Sequence, residues 1–186
     1  MLLTPAQQAI VKADIIANPD LDAWPHGPDG AFEIAKAYNL PASPNFPCWR
    51  NNTPTQAIFD AISWDKYTPV DAADETLVYM NRLLLIQTKQ MNLQTLLLPA
   101  ALDTTKANIR AGVRDATIQI PAGVGGAGTA PGGTNGGTVL AACIINGSRI
   151  EKLLTTGTFV TGNTSADVRG FYGAISRQDV DEARES

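Results

Sequence analysis

Ile120–Leu140 reads IPAGVGGAGTAPGGTNGGTVL, and the reading of this stretch decides between two kinds of fold. Gly123, Gly125 and Gly128 satisfy the spacing G-x-G-x-x-G. In a doubly wound α/β domain that pattern joins a strand to a helix whose N-terminus holds a pyrophosphate. Here Pro131, Gly132, Gly133, Gly136 and Gly137 follow, a run in which no helix is expected to start. The next acid is Glu151, so the ribose partner expected about 20 residues on is not found. No Gly-Lys-Ser/Thr occurs anywhere, which removes a P-loop. The stretch therefore reads as a long flexible loop, with eight glycines between Gly123 and Gly137 that are costly to order. A loop of this length in a compact domain points to function rather than scaffold.

Outside the loop the periodicity is helical. Thr4 is an N-cap and Pro5 stands at the first helical position, and Ile10, Ala13, Ile16 and Ala17 form one apolar stripe. NPDLDAWPHGPDG breaks this helix. A second is expected after Asp29, with Phe32, Ile34, Ala35 and Tyr38 on its buried side. NLPASPNFPCWRNNTP predicts an extended path, and Thr53-Pro54 repeats the cap-plus-proline signature before Ile58, Phe59 and Ile62. Asp74 caps the longest expected helix, running to about Leu98, with apolar residues on more than one side. A further helix is expected over 104–118 behind Asp103, and another over 138–154 with Gly147 as its weak point. The β-branched and aromatic residues of TGTFVTGNTSADVRGFYGAIS suggest a hairpin or extended arm. Ser176 and Asp179 form a capping box for a short terminal helix. The expected fold is mainly α: a helical bundle around a long central helix, with the glycine-rich loop and a short β-hairpin or extended C-terminal arm. It divides into a helical domain, 1–155, that includes the projecting loop 121–137, and the arm, 156–186.

Composition narrows the function classes. Apolar residues make up 44% of the 186-residue chain and charged ones 17%, which suits a folded core. A formal charge of −4 carries no global signature of nucleic-acid binding. Two distant cysteines, Cys48 and Cys143, make no disulfide framework and are expected to be reduced. MLLTPAQQ has no secretory-leader pattern, and polar residues interrupt 77–98 too often for a membrane span. His26 is the only histidine, so nucleophile and metal constellations lack partners. Asp20, Asp22 and Asp29 lack the alternation of a calcium loop. No catalytic residue, cofactor or metal is expected, and the chain does not read as an enzyme. One charge pattern stands out: Lys106, Arg110 and Arg114 at i, i+4 and i+8 line one face of the 104–118 helix. They are the candidates for a DNA channel or a subunit interface.

LTPAQQAIVKADIIANPDLDAWPHGPDGAFEIAKAYNLPASPNFPCWR, KANIRAGVRDA, and IEKLLTTGT with GFYGAISRQDVDEAR resemble a family of small proteins of tailed bacteriophages and prophages, encoded among head and tail genes. The resemblance spans nearly the whole chain and departs from it around the glycine loop, which marks that loop as a variable insertion. It implies a structural virion protein, a head-to-tail adaptor of the connector or neck. Such proteins form a homo-oligomeric ring, commonly of about twelve subunits, between the portal and a tail or nozzle protein. DNA passes through the channel without sequence-specific binding. The implied location is the virion, assembled in the host cytoplasm, with no membrane partner. Gly125 and Gly132 of the loop and Phe171, Tyr172, Ile175 and Val180 of the arm are then candidates for contact with the portal or a neighbour. Other expected roles in the same setting are a neck, tail-completion or head-decoration protein. A small DNA-binding regulator lacks a helix-turn-helix signature, and a ligand-binding enzyme lacks a convergent polar pocket.

Overall fold

The Thr4 hydroxyl accepts from the Gln7 amide, and the Gln7 side chain accepts from the Thr4 amide at 2.9 Å, a capping box that opens α1 (Pro5–Ala17). The computed structural model describes residues 3–64, 77–118, 135–161 and 164–186. Asn18 closes α1 and opens the single turn α2 (Pro19–Asp22). α3 (Pro28–Asn39) follows. A Cβ at Gly30 would lie 2.0 Å from the Pro25 carbonyl oxygen, so the chain can fold back this tightly only at glycine.

Two short strands then precede α4 (Thr55–Asp60): β1 (Pro47–Trp49) and β2 (Thr53–Pro54). Thr53 does not cap a helix. Its hydroxyl is buried and paired with that of Thr104 at 2.9 Å, and β2 pairs antiparallel with β3 (Ala101–Leu102). The longest helix, α5 (Leu77–Leu96), comes next. Asp103 acts one turn before α6 (Ala107–Thr117), accepting from the Thr105 amide at 3.1 Å. α7 (Asn135–Ala142) begins inside the glycine run, at a place where the sequence predicts no start. Gly136 and Gly137 fall in its first turn, where propensity matters least.

The helix expected over 138–154 is broken. Ile144–Asn146 leaves it as β4, and the chain restarts as α8 (Arg149–Leu153) behind a Ser148–Glu151 capping box. Gly147 makes the break: a Cβ there would lie 2.7 Å from the Phe46 ring and 3.0 Å from the Cys48 sulfur. β5 (Thr155–Thr161) and β6 (Thr164–Arg169) form the expected hairpin, and Ser176 with Asp179 caps α9 (Arg177–Glu185). The four-stranded sheet has the order β4-β1-β6-β5, with β1 parallel to β6 and Cys48 opposite Asp167.

Helix therefore dominates the described residues, but a mixed sheet accompanies it, and the architecture is α/β rather than a bundle around a central helix. α5 has the expected length and is no hub: Ile86 and Leu93 are its only buried side chains among those described. Contacts divide the chain into two units. The first comprises residues up to Cys48, Asn146–Thr158 and Asp167–Ser186; the second comprises Trp49–Ile145 and Phe159–Ala166. The boundary expected at 155/156 is not where the chain divides. Residues after 156 are no free arm, because α9 packs on α1 and α3. Phe171, Ile175, Val180 and Ala183 share one core with Val11, Ile15, Ile34 and Tyr38. The strand-rich composition of 156–175 signals extended backbone correctly. It does not say that the last turns carry the apolar residues that close this core.

Val180 is fully buried there. Val180→Ala is expected to lower the unfolding free energy by about 2 kcal/mol through lost burial and a residual cavity, read as a shifted urea midpoint. A projecting arm would lose nothing.

Candidate interaction surface

The basic triplet of α6 does not lie on one exposed face. Arg110 is 2% exposed. Its Nη1 donates to the carbonyls of Thr104 at 2.9 Å and Thr105 at 2.6 Å, and its Nε donates to the Thr161 hydroxyl at 3.0 Å. The guanidinium lies 4.9 Å from the centre of the Trp49 ring and 5.9 Å from that of Phe159. Burial pulls its pKa down. Spacing alone cannot separate a solvated arginine from one that threads between an aromatic ring and backbone carbonyls. The signal was Trp49, an apolar plate that a planar cation covers well. Lys106 is exposed and pairs with Asp103 at 3.5 Å, and Arg114 is half-buried.

The C-terminal candidates also part company. Phe171, Ile175 and Val180 are core residues, whereas Tyr172 is exposed and stacks on the Arg169 guanidinium at 4.5 Å. Gly125 and Gly132, with the rest of 119–134, lie outside the described residues.

In the first unit the Asp14 carboxylate accepts from the Tyr38 hydroxyl at 2.6 Å and from Arg149 at 3.1 Å. Burial pushes the Tyr38 phenol well above its usual pKa, and the adjacent carboxylate adds to the shift. A cleft of about 760 Å³ opens beside this group, between the ends of α1 and α3 and α8. Its charges are one acid, Asp14, and two bases, Arg149 and Lys152. Asp14 and Arg149 already satisfy each other, so the cleft offers no convergent set of reactive groups.

Two helices carry exposed apolar residues along one side. On α5, Met80, Leu84 and Met91 are 53, 62 and 66% exposed, and Leu98 in the following turn is 81% exposed. Steps of four and seven residues place Met80, Leu84 and Met91 in one line, and Leu98 follows past the end of the helix. Thr88 and Thr95 stand between them, exposed, and each hydroxyl donates at 2.9 Å to a carbonyl of the preceding turn, Leu84 or Met91. This satisfies the hydroxyls and leaves the methyl groups outermost. The flanking Gln87, Asn92 and Gln94 are exposed and uncharged. Lys89 is turned toward the Asp115 carbonyl, and burial lowers its pKa. On α1 the stripe Ile10, Ala13, Ile16 and Ala17 faces solvent together with Ala6 and Ala9, while Gln8, Val11 and Ile15 face the core. Both sides of α1 are apolar, and the inner side includes a glutamine because Gln8 donates to Glu182 of α9 at 3.2 Å.

Among the described residues no group of His, Cys, Asp and Glu could hold a metal, and no helix is long and apolar enough to cross a membrane. Comparison with known proteins finds no matching family, no similar curated protein and no similar solved structure.

Two consequences are measurable. Arg110→Ala is expected to cost about 2 kcal/mol or more, since a buried charge-assisted donor set is lost, whereas Lys106→Glu and Arg114→Glu should each stay within about 0.5 kcal/mol. Denaturant unfolding of the three variants separates these outcomes. Second, burial raises both cysteine thiols from 9.0 to about 11. Unfolded thiols ionise first, so stability present below pH 9 is lost as pH rises toward about 11. Unfolding midpoints at about pH 8 and about pH 10.5 should therefore diverge more in the natural chain than in C48A/C143A.

Proposed function

We propose that the chain is a structural virion protein of a tailed bacteriophage, acting as a head-to-tail adaptor in the connector between portal and tail. The observation that carries this reading is the pair of uncharged, exposed apolar helix faces on α1 and α5. A protein that works alone gains nothing from two such faces, whereas a subunit of an assembly covers them with neighbours. The resemblance of the sequence to phage head and tail proteins supplies the setting. On this reading the copies form a ring on the portal, Tyr172 is the one proposed C-terminal contact residue that is exposed, and Lys106 and Arg114 face either the channel or the next copy. Arg110 holds the second unit together instead.

The test is genetic. A phage carrying a stop codon early in this gene should accumulate DNA-filled heads and separate tails, seen by electron microscopy, and the purified protein should restore infectivity to those heads. Normal virions from the stop mutant would end the adaptor reading.

A further inference from the structure

The cleft beside Asp14 belongs wholly to the first unit, and its charge runs against that of its surroundings. Two of the unit's seven bases, Arg149 and Lys152, line it, against one of the unit's eleven acids. That acid, Asp14, is already engaged by the Tyr38 hydroxyl and by Nη2 of Arg149. The Tyr38 ring, 5.0 Å from the Arg149 guanidinium, holds that group from a second side. Among the described residues, Nε and Nη1 of Arg149 make no hydrogen bond, and the Lys152 ammonium makes one long one, 3.4 Å to the Pro44 carbonyl. The two bases stand three residues apart on α8, which makes them neighbours on one side of the helix. Donors for an anion are therefore held in place and open.

Apolar groups form much of the remaining wall: Ala37, Leu40, Pro41, Ala42 and Leu153, with Leu40 57% exposed. The same wall offers backbone. Around the Pro41–Ser148 bridge, Arg149 donates to the Leu40 carbonyl and Ala42 donates to the Gly147 carbonyl, each at 2.9 Å. Pro41 and Ser43 are exposed, and among the described residues the Pro41 carbonyl and the Ser43 amide and hydroxyl make no hydrogen bond. We propose that this cleft docks an extended peptide segment of a partner protein, one that sets a carboxylate against Arg149 and Lys152 and an apolar side chain against Leu40. The planar fork of an arginine matches a carboxylate, and the lysine adds charge without demanding a direction. A phosphate or a fatty acid would answer the bases but brings no N–H to the Pro41 carbonyl, which a peptide amide supplies. The volume of about 760 Å³ lies inside the range of about 300–1,000 Å³ usual for ligand sites. Such a site is independent of whether the chain forms a ring.

The test is a titration of the ¹⁵N-labelled full chain, followed in amide correlation spectra. The probe is an N-acetylated, C-amidated pentapeptide of alternating leucine and aspartate, taken to about 5 mM so that weak binding still registers. Saturable shifts are expected at the amides of Leu40, Ala42, Ser43, Lys152 and Leu153, which all line the cleft. The same peptide with asparagine for aspartate should bind at least about tenfold more weakly, as loss of a charge-assisted contact dictates. Lys152→Glu should weaken the aspartate peptide by a similar factor, and Lys152→Arg should keep it within about twofold. Lys152 makes only the long contact to Pro44, so both variants should fold, and their unshifted amides elsewhere check this. Equal binding of the asparagine peptide would overturn the proposal, as would shifts confined to other parts of the chain or none at all. Inorganic phosphate or decanoate producing the same pattern at the same concentration would reduce the cleft to a general anion site and end the peptide assignment.

Discussion

Glu151 is the group on which the first unit depends. Its Oε2 accepts from the Ser148 amide at 2.9 Å, closing the box that starts α8. Its Oε1 accepts from Arg169 at the end of β6 and from the Gly173 amide at 3.2 Å. Both partners of the ion pair are almost fully buried. Such a pair adds little net stability compared with a well-packed apolar pair, yet losing one partner strands a charge, at about 3–5 kcal/mol. Its effect is to specify. Only one mutual placement of α8, β6 and the 170s turn satisfies the carboxylate.

The need for specification follows from the connectivity. The first unit is assembled from three separated stretches of chain, and long-range polar contacts join them. Ala42 donates to Gly147 at 2.9 Å and Gly147 donates to Phe46 at 2.9 Å, tying the first stretch to the second. Asn39 and Ile175 exchange two hydrogen bonds of 2.9 Å across 136 residues, and Arg184 donates to the Pro25 and Trp24 carbonyls. Contacts at such separation must overcome loop-closure entropy before they contribute, so the polar ties that fix their geometry matter most here. Charge is divided along the same lines. Eleven acids and seven bases belong to the first unit and seven of each to the second, so the first carries all of the net −4.

Local signals were legible in the sequence because they act over three or four residues. The Ser176–Asp179 box, the proline after Thr4 and the paired strands Thr155–Thr161 and Thr164–Arg169 all fall where their chemistry places them. Orientation was not legible. α1 has apolar residues on both sides, and which side turns inward is decided by α9, more than 150 residues away, through partners such as Glu182. Arg110 shows the same limit. Its i+4 neighbours in α6 suggest a solvated charge, but the environment that buries it comes from Trp49, the 104–105 carbonyls and Thr161. Periodicity reports that a face exists, and tertiary partners decide what the face is for.

The two outward faces fit that distinction. Natural surfaces tolerate scattered apolar residues, but a continuous uncharged line along a helix invites non-specific association. In α5 the sequence does not soften the line with charge. It places Thr88 and Thr95 in it with their hydroxyls turned back to the helix, and confines the polar groups to neutral amides at the flanks. Lys89, which could have interrupted the surface, is drawn to the Asp115 carbonyl on the neighbouring helix. Charges at the centre would have made the free chain more soluble, and would have been desolvated, at a cost, whenever a neighbour docked. Neutral amides at the rim keep the free subunit wetted and can trade water for a neighbour with little loss. A face built this way stays wetted at its edges and holds no group at its centre that would be costly to desolvate.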